Sequence, residues 1–226
     1  MVLLYSVSLH AGGNSVNKLI VVGAGGCGRD VMHWASDCAA AGAPWQPYGF
    51  IDDNPNAFQG LKQSLPLLGS IGDWCPKEEQ RFVVAIADPA SRRRVVASLT
   101  ARGAIFSGLV HPTARVVSTA TLGEGVILSP YVVVSDNAKV GDFVFVNLHS
   151  ALGHDSITEE YCTICSFCDI TGGVKLEQGV YVGSRVTITP QTIIGEEAFL
   201  CAGSVVLQRV LPRSKVLGNP AKPFAM

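Results

Sequence analysis

The amino-acid sequence predicts a chain in two parts, a Rossmann-like α/β unit over residues 18–112 and a parallel β-helix over residues 113–226. Two periodicities predict it. In the first half, short apolar runs alternate with helical stretches, and alternating strands and helices imply a parallel sheet. In the second half, every sixth residue from Val116 to Val206 is aliphatic except Thr158, and the register never slips. Two residues before each of these stands a second series, from Ala114 to Ser204, whose members are all small or β-branched. Neither a helix of period 3.6 nor a strand of period 2 has a reason to repeat at six. A hexapeptide repeat marks coils that stack and bury a continuous core. With three flat sides to a coil, a turn takes about 18 residues and the stretch makes about five turns.

Residues 1–17 hold a short apolar run with no basic residue before it, so they read as a poorly ordered leader and not a signal peptide. Next, "KLIVVGAGGCGRDVMHWASDCAAAG" reads as a buried strand, a glycine turn and a helix. "YGFIDDNP" is a strand ending in two aspartates, "RFVVAIADPASRRRVVASLTARG" a strand and helix, and "AIFSGLVHP" a strand. This is short for a complete dinucleotide fold. Gly23, Gly25 and Gly28, with Gly26 and Cys27 between, satisfy G-x-G-x-x-G between a strand and a helix, where backbone N–H groups can meet phosphate. Asp52 and Asp53 end the next strand, where a carboxylate can accept from a ligand hydroxyl or base N–H. Arg92, Arg93 and Arg94 read as a solvated helix face more than as a phosphate clamp.

Composition narrows the class. Apolar residues make up 48% of the chain and charged ones 15%, with a net charge of −1. No run of about 18 apolar residues exists, so no membrane span is expected. The apolar surplus points to a buried subunit interface. Spread lysines and arginines give no reason to expect nucleic-acid binding. Seven scattered cysteines suit reduced thiols in a cytoplasmic protein.

Three of those cysteines form C-x-x-C-x-x-C in "YCTICSFCDI". Cys162 and Cys168 both belong to the small inward series, on successive sides of the coil, and six extended residues span roughly 20 Å. They cannot share one metal centre and read as small packing residues. Of His149 and His154, the latter lies two residues after an inward position, so its side chain can leave the coil. One coil later the stacked position is Gly172, followed by Gly173, which leaves space and free backbone N–H groups beside an imidazole. That suits a carbonyl developing negative charge, and a neutral imidazole is a competent general base. Asp155 could tune it, although neighbours on an extended chain usually point apart.

The unbroken hexapeptides, "GHD", "ITGGV", "VYVGSRVTITP", the tail "VLGNPAKP" and the front unit with "FIDD" resemble bacterial sugar acyltransferases. The resemblance covers residues 18–226. It is to the subgroup of sialic acid O-acetyltransferases and N-acetyltransferases of nucleotide-linked 4-amino sugars. It implies a left-handed parallel β-helix, a homotrimer, acetyl-CoA between neighbouring β-helices as acyl donor, no metal, and a nucleotide-activated sugar whose nucleotide rests in the front unit. It implies His154 as base with Asp155 as acidic partner, Asn147 near the acceptor amine, and the Gly172 N–H on the thioester carbonyl. Gly218, Asn219, Pro220, Ala221 and Lys222 map onto the segment beside CoA. The chain departs at Cys27, where relatives often carry histidine close to the nucleotide-sugar.

The favoured expectation is an N-acetyltransferase of a nucleotide-linked amino sugar working by direct attack, with O-acetylation of a sialic-acid-like sugar the nearest variant. A zinc hydratase like the γ-class carbonic anhydrases would use His149 and His154. It lacks a third histidine near Thr113, His111 lying before the repeat. A non-catalytic nucleotide-sugar scaffold is the third reading.

Overall fold

The computed structural model describes residues 16–224, so the reading of residues 1–17 falls outside the described residues except at Val16 and Asn17. Asn17 already belongs to the first strand. The front unit runs β1 (Asn17–Val22), α1 (Gly26–Ala40), β2 (Trp45–Ile51), β3 (Leu67–Gly69), β4 (Gln80–Val84) and α2 (Pro89–Thr100). Its sheet has the order β3-β2-β1-β4 and every pairing is parallel. Leu19, Ile20, Val21 and Val22 are wholly buried, as a strand covered on both faces requires. Asp88 caps α2, its Oδ2 accepting from the Ser91 N–H at 2.8 Å, and Pro89 opens the helix where no N–H is needed.

The second half winds into a triangular prism of two-residue strands. The first face starts at Leu109–Val110, before the expected boundary at 113, and climbs through Ile127–Leu128 and Phe145–Val146 to Lys215–Gly218. The second face runs from Arg115–Val116 through Ala151–Leu152 to Val205–Val206. The third runs from Thr121–Leu122 through Ile157–Thr158 to Ile193–Ile194. The rungs within the faces are parallel at a spacing of 18, as in Ala151 opposite Asp169 and Leu152 opposite Ile170, until the last rung of the first face, where Phe199 stands opposite Lys215. The second residue of each strand points inward, and Leu128, Val146, Leu152, Ile164, Ile170 and Leu200 show no exposure. The small series makes the bends, where a side chain must fit between two faces. Ser150, Ser156 and Ser204 are as buried there as Val144.

Thr158 interrupts the aliphatic ladder. Its hydroxyl is buried with no hydrogen-bond partner among the described residues, a cost that a packed methyl would not carry.

The front unit sits on the first face. Leu109, Trp34, Ile127 and Phe145 share one apolar cluster, and Phe106 meets Phe143 edge-on at 5.1 Å. At this junction the reading of residues 92–94 as a solvated face is corrected. Arg92 is 1% exposed. Its Nε donates to Phe143 O, Nη1 to Ile86 O, Ala87 O and Thr163 Oγ1, and Nη2 to Tyr161 O and Cys162 O, at 2.6–3.3 Å. Burial pushes this guanidinium down to about 10, so it stays charged at neutral pH. Arg93 lies over the Tyr161 ring at 5.1 Å, and Arg94 is exposed. Sequence could not separate them, because only the docked β-helix brings bare carbonyls to the Arg92 position.

Thr158→Val should raise the unfolding free energy by about 1 kcal/mol in a denaturant titration, since it keeps the shape and removes the unpaired hydroxyl. Arg92→Met should lower it by about 3 kcal/mol, because it strands several buried carbonyls at the domain junction.

Candidate active site

From Gly125 to Gly203 each bend between faces is a tight turn whose second residue takes a left-handed conformation. At the edge between the second and third faces that residue is Asp155, at φ +58°. This turn breaks the alternation of an extended chain. It folds the Asp155 carboxylate back so that Oδ2 lies 2.8 Å from His154 Nδ1. The neighbours therefore do not point apart. Oδ1 accepts from Asn137 Nδ2 at 2.8 Å. The hydrogen bonds from Asn137 and then His154 hold the Asp155 carboxyl below the usual carboxylate range. An ionised carboxylate only accepts, so in the neutral imidazole Nδ1 carries the proton and Nε2 the lone pair.

Nε2 faces the coil above. A Cβ placed on Gly172 would press against Nε2 and lie 2.5 Å from Cε1. The coil register thus stacks His154 directly against Gly172, with the imidazole 70% exposed. Gly173 takes φ +67° and donates its N–H to His154 O at 2.8 Å. The Gly172 N–H donates to no acceptor among the described residues. A lone pair and a free N–H on one open edge can remove a proton from a nucleophile while receiving charge on a carbonyl oxygen.

The remaining expected residues lie elsewhere. Asn147 and His149 occupy the edge between the first and second faces, one bend before His154. Asn147 Oδ1 accepts from the Leu148 N–H at 2.8 Å, and its Nδ2 has no partner among the described residues. His149 is stacked between Tyr131 (4.8 Å) and Phe167 (5.0 Å), with Arg185 over Phe167 at 5.6 Å. His111 uses both ring nitrogens, on Thr113 Oγ1 (2.8 Å) and Asp37 Oδ2 (3.1 Å). The three histidines do not converge, and among the described residues no group of three or more His, Cys, Asp or Glu could hold a metal ion. The tail forms an antiparallel hairpin of Lys215–Gly218 with Ala221–Pro223, joined through a cis Asn219–Pro220 bond. Its Gly218 N–H reaches Ser204 Oγ at 3.2 Å, on the same edge as Asn147.

In the front unit the glycines divide their work. Gly23 has φ +97°, and a Cβ on Gly28 would lie inside the Gly23 carbonyl, so these two let helix and strand touch. Gly25 and Gly26 face open space. The first helical bond of α1 runs from the Arg29 N–H to Gly25 O, which leaves the N–H groups of residues 25–28 without an acceptor among the described residues. Asp52 binds within the chain, its Oδ2 accepting from the Ala24 N–H at 2.6 Å and Oδ1 from the Asn54 N–H at 2.8 Å. Asp53 accepts from the Gly72 N–H at 3.0 Å. Beside them lies a cavity of about 310 Å³, bounded also by Pro55 and Leu67–Ser70. Cys27 is half-buried. Burial, and then the nearby Asp30, push its thiol up to about 12, so it stays protonated. Cys162 and Cys168 are buried packing residues, also pushed up by burial, to about 12 and about 11. The partner that sequence reading missed is Asn137. It stands one coil below Asp155, and the spacing of 18 that led from His154 to Gly172 would have found it when counted backwards.

A β-helix prism with an imidazole and a bare glycine N–H on one edge, carrying an α/β unit on one face, defines a hexapeptide-repeat acyltransferase. Comparison with known proteins agrees. The family described as PglD N-terminal domain matches residues 18–99. GDP-perosamine N-acetyltransferase of Escherichia coli O157:H7 is 33% identical over 183 residues, covering 76% of this chain and 80% of that protein. The acetyltransferase domain of PglB from Neisseria gonorrhoeae FA1090, solved with acetyl coenzyme A, superposes with a TM-score of 0.82 at 28% identity. That match covers 93% of this chain and 100% of that one. PerB from Caulobacter crescentus, solved with CoA and GDP-perosamine, shares the fold with a TM-score of 0.84 at 22% identity, over 93% of this chain and 99% of that one. The chain belongs to the bacterial sugar acyltransferase family of left-handed β-helix enzymes, alongside the perosamine N-acetyltransferases.

Gly172→Ala should turn the imidazole aside without disturbing the fold, because the exposed ring can move and the backbone need not. A crystal structure should show His154 in another rotamer, and CoA thiol release should fall about 100-fold at an unchanged melting temperature.

Proposed function

We propose that this enzyme transfers the acetyl group of acetyl-CoA to the amine of a nucleotide-linked 4-amino sugar in the cytoplasm. The observation that carries the reading is the juxtaposition of His154 Nε2 with the free Gly172 N–H, backed by the ionised Asp155. His154 Nε2 takes the proton as the sugar amine attacks the thioester carbonyl. The Gly172 N–H donates to the carbonyl oxygen as it gains charge, and the imidazolium returns its proton to the departing sulfur. The Asp155 carboxylate stabilises the imidazolium while it lasts. No covalent acyl-enzyme is required. The cysteine thiols nearest the front unit and in the prism core stay protonated or buried, and Ser150, Ser156 and Ser204 are sealed in the bends.

Gly25, Gly26 and the first N–H groups of α1 suit the diphosphate, and the cavity beside Asp52 and Asp53 suits the base. Asp52 contributes by holding the glycine turn through Ala24. Asn147 and the Gly218–Lys222 hairpin share an edge that does not carry His154. A homotrimer would bring that edge of one subunit to the His154 edge of the next, placing Asn147 at the acceptor amine and the hairpin beside CoA. The relative acting on GDP-perosamine makes a GDP-linked amino sugar the first acceptor to test.

Purified enzyme incubated with acetyl-CoA and UDP-, dTDP-, GDP- and CMP-linked amino sugars should release thiol with one of them and yield the N-acetyl sugar. Release with hydroxyl acceptors only would make it an O-acetyltransferase. His154→Ala should lower kcat at least about 100-fold while calorimetry shows nucleotide-sugar binding intact. An unchanged kcat would remove His154 from the reaction.

A further inference from the structure

We propose that Asn137 is a positioning residue for the acyl-transfer step, acting on His154 through Asp155 across two coils of the prism. The inference rests on the reading of His154 as the base. Its geometry is a chain of contacts along one edge. Asn137 Nδ2 donates to Asp155 Oδ1 at 2.8 Å, and Asp155 Oδ2 meets His154 Nδ1 at 2.8 Å. Each carboxylate oxygen thus has one directed partner, and rotation about the carboxylate bond would break both. Asn137 is itself held from below. Its N–H donates to Thr119 Oγ1 at 3.1 Å, and the same hydroxyl donates to Asp136 Oδ1. The backbone closes the ladder, the Asp155 N–H donating to Asp136 O at 2.9 Å.

This arrangement answers a difficulty of the site. His154 and Asp155 are mostly exposed, with side chains 70% and 58% accessible. An exposed ion pair on mobile side chains is worth little, and a dyad in water would spend its time in many rotamers. The amide of Asn137 supplies a directed bond that holds the Asp155 carboxylate in place. The two residues share the same left-handed backbone, φ +56° at Asn137 and +58° at Asp155. Asparagine and aspartate tolerate it where most residues do not, and it makes their side chains project alike, one coil apart.

The amide also sets the charge balance of the edge. Asn137 donates to the carboxylate without adding charge, and its bond helps keep Asp155 ionised. The other titratable group on this edge is Asp136, one coil below. One coil above stand Gly172 and Gly173 and two coils above Gln191, none of them charged. The flanking faces carry Asp169 on one side and Lys139 with the Lys175–Glu159 pair on the other. An acid at position 137 would add a second negative charge beside Asp155, favour the imidazolium, and demand a higher pH to free Nε2.

Two substitutions at this exposed site test the role in the full-length enzyme, with His154→Ala as reference. Asn137→Gly accepts the positive φ and removes only the amide. It should lower kcat about 10-fold with KM for both substrates unchanged, and move the acid limb of the kcat/KM profile to lower pH, because a carboxylate no longer held against the ring stabilises the imidazolium less. Asn137→Asp should move that limb the other way, to higher pH, by about one unit. If His154→Ala is inactive while both Asn137 variants keep the wild-type kcat and pH profile, the positioning role is overturned and the base reading stands. Lower activity in both variants with no movement of the pH profile also overturns it, since a merely structural residue would do that. Full activity of His154→Ala overturns both ideas together.

Discussion

The register of the stacked coils is the constraint on which everything else in this molecule depends. Inward aliphatic side chains pack on their counterparts 18 residues away, and N–H groups of the strands find carbonyls in the coil above. A slip by one residue would send the ladder outward and the polar residues inward. Because the buried set tolerates no slip, the surface is ordered as strictly as the core. Residues 137, 155 and 173 form one column and 131, 149, 167 and 185 another. The candidate site is a consequence of that order: His154 meets Gly172 because both stand at the same place in successive coils.

The edges translate that order into chemistry. A left-handed residue at a bend can turn adjacent side chains toward one another, which an extended strand would not do. At Asp155 this yields a carboxylate–imidazole contact from two neighbours in sequence. At Gly172 the absent side chain matters as much, since any Cβ would occupy the place of the imidazole. The edge is open to solvent, so its electrostatics come from directed hydrogen bonds and not from burial. Burial acts on other groups, raising the thiols of Cys27, Cys162 and Cys168 and so keeping them out of the chemistry.

The front unit depends on the prism in turn. Its glycine turn is held by Asp52 on one side, and the loop that follows β4 is gripped by Arg92. Arg92 also binds three carbonyls of the β-helix and the Thr163 hydroxyl. One buried guanidinium therefore fixes the loop after β4 relative to the first face. An arginine suits this place because its planar fork offers several donors in fixed directions.

The sequence alone determined the parallel β-helix, the α/β unit before it, the packing role of Cys162 and Cys168, and the stacking of Gly172 on His154. All of these follow from a period, and a period is a local property that survives without coordinates. Tertiary structure decided what no period encodes. It decided that Asp155 bends back to His154, because a backbone dihedral sets that direction. It decided that Arg92 is sealed while Arg94 is exposed, because the docked partner surface lies far away in sequence. It placed Asn147 on a different edge from His154, although seven residues separate them, because the chain turns a corner between the two. Side chains that act together here are chosen by where the coils bend, and the bends are visible only once the prism is closed.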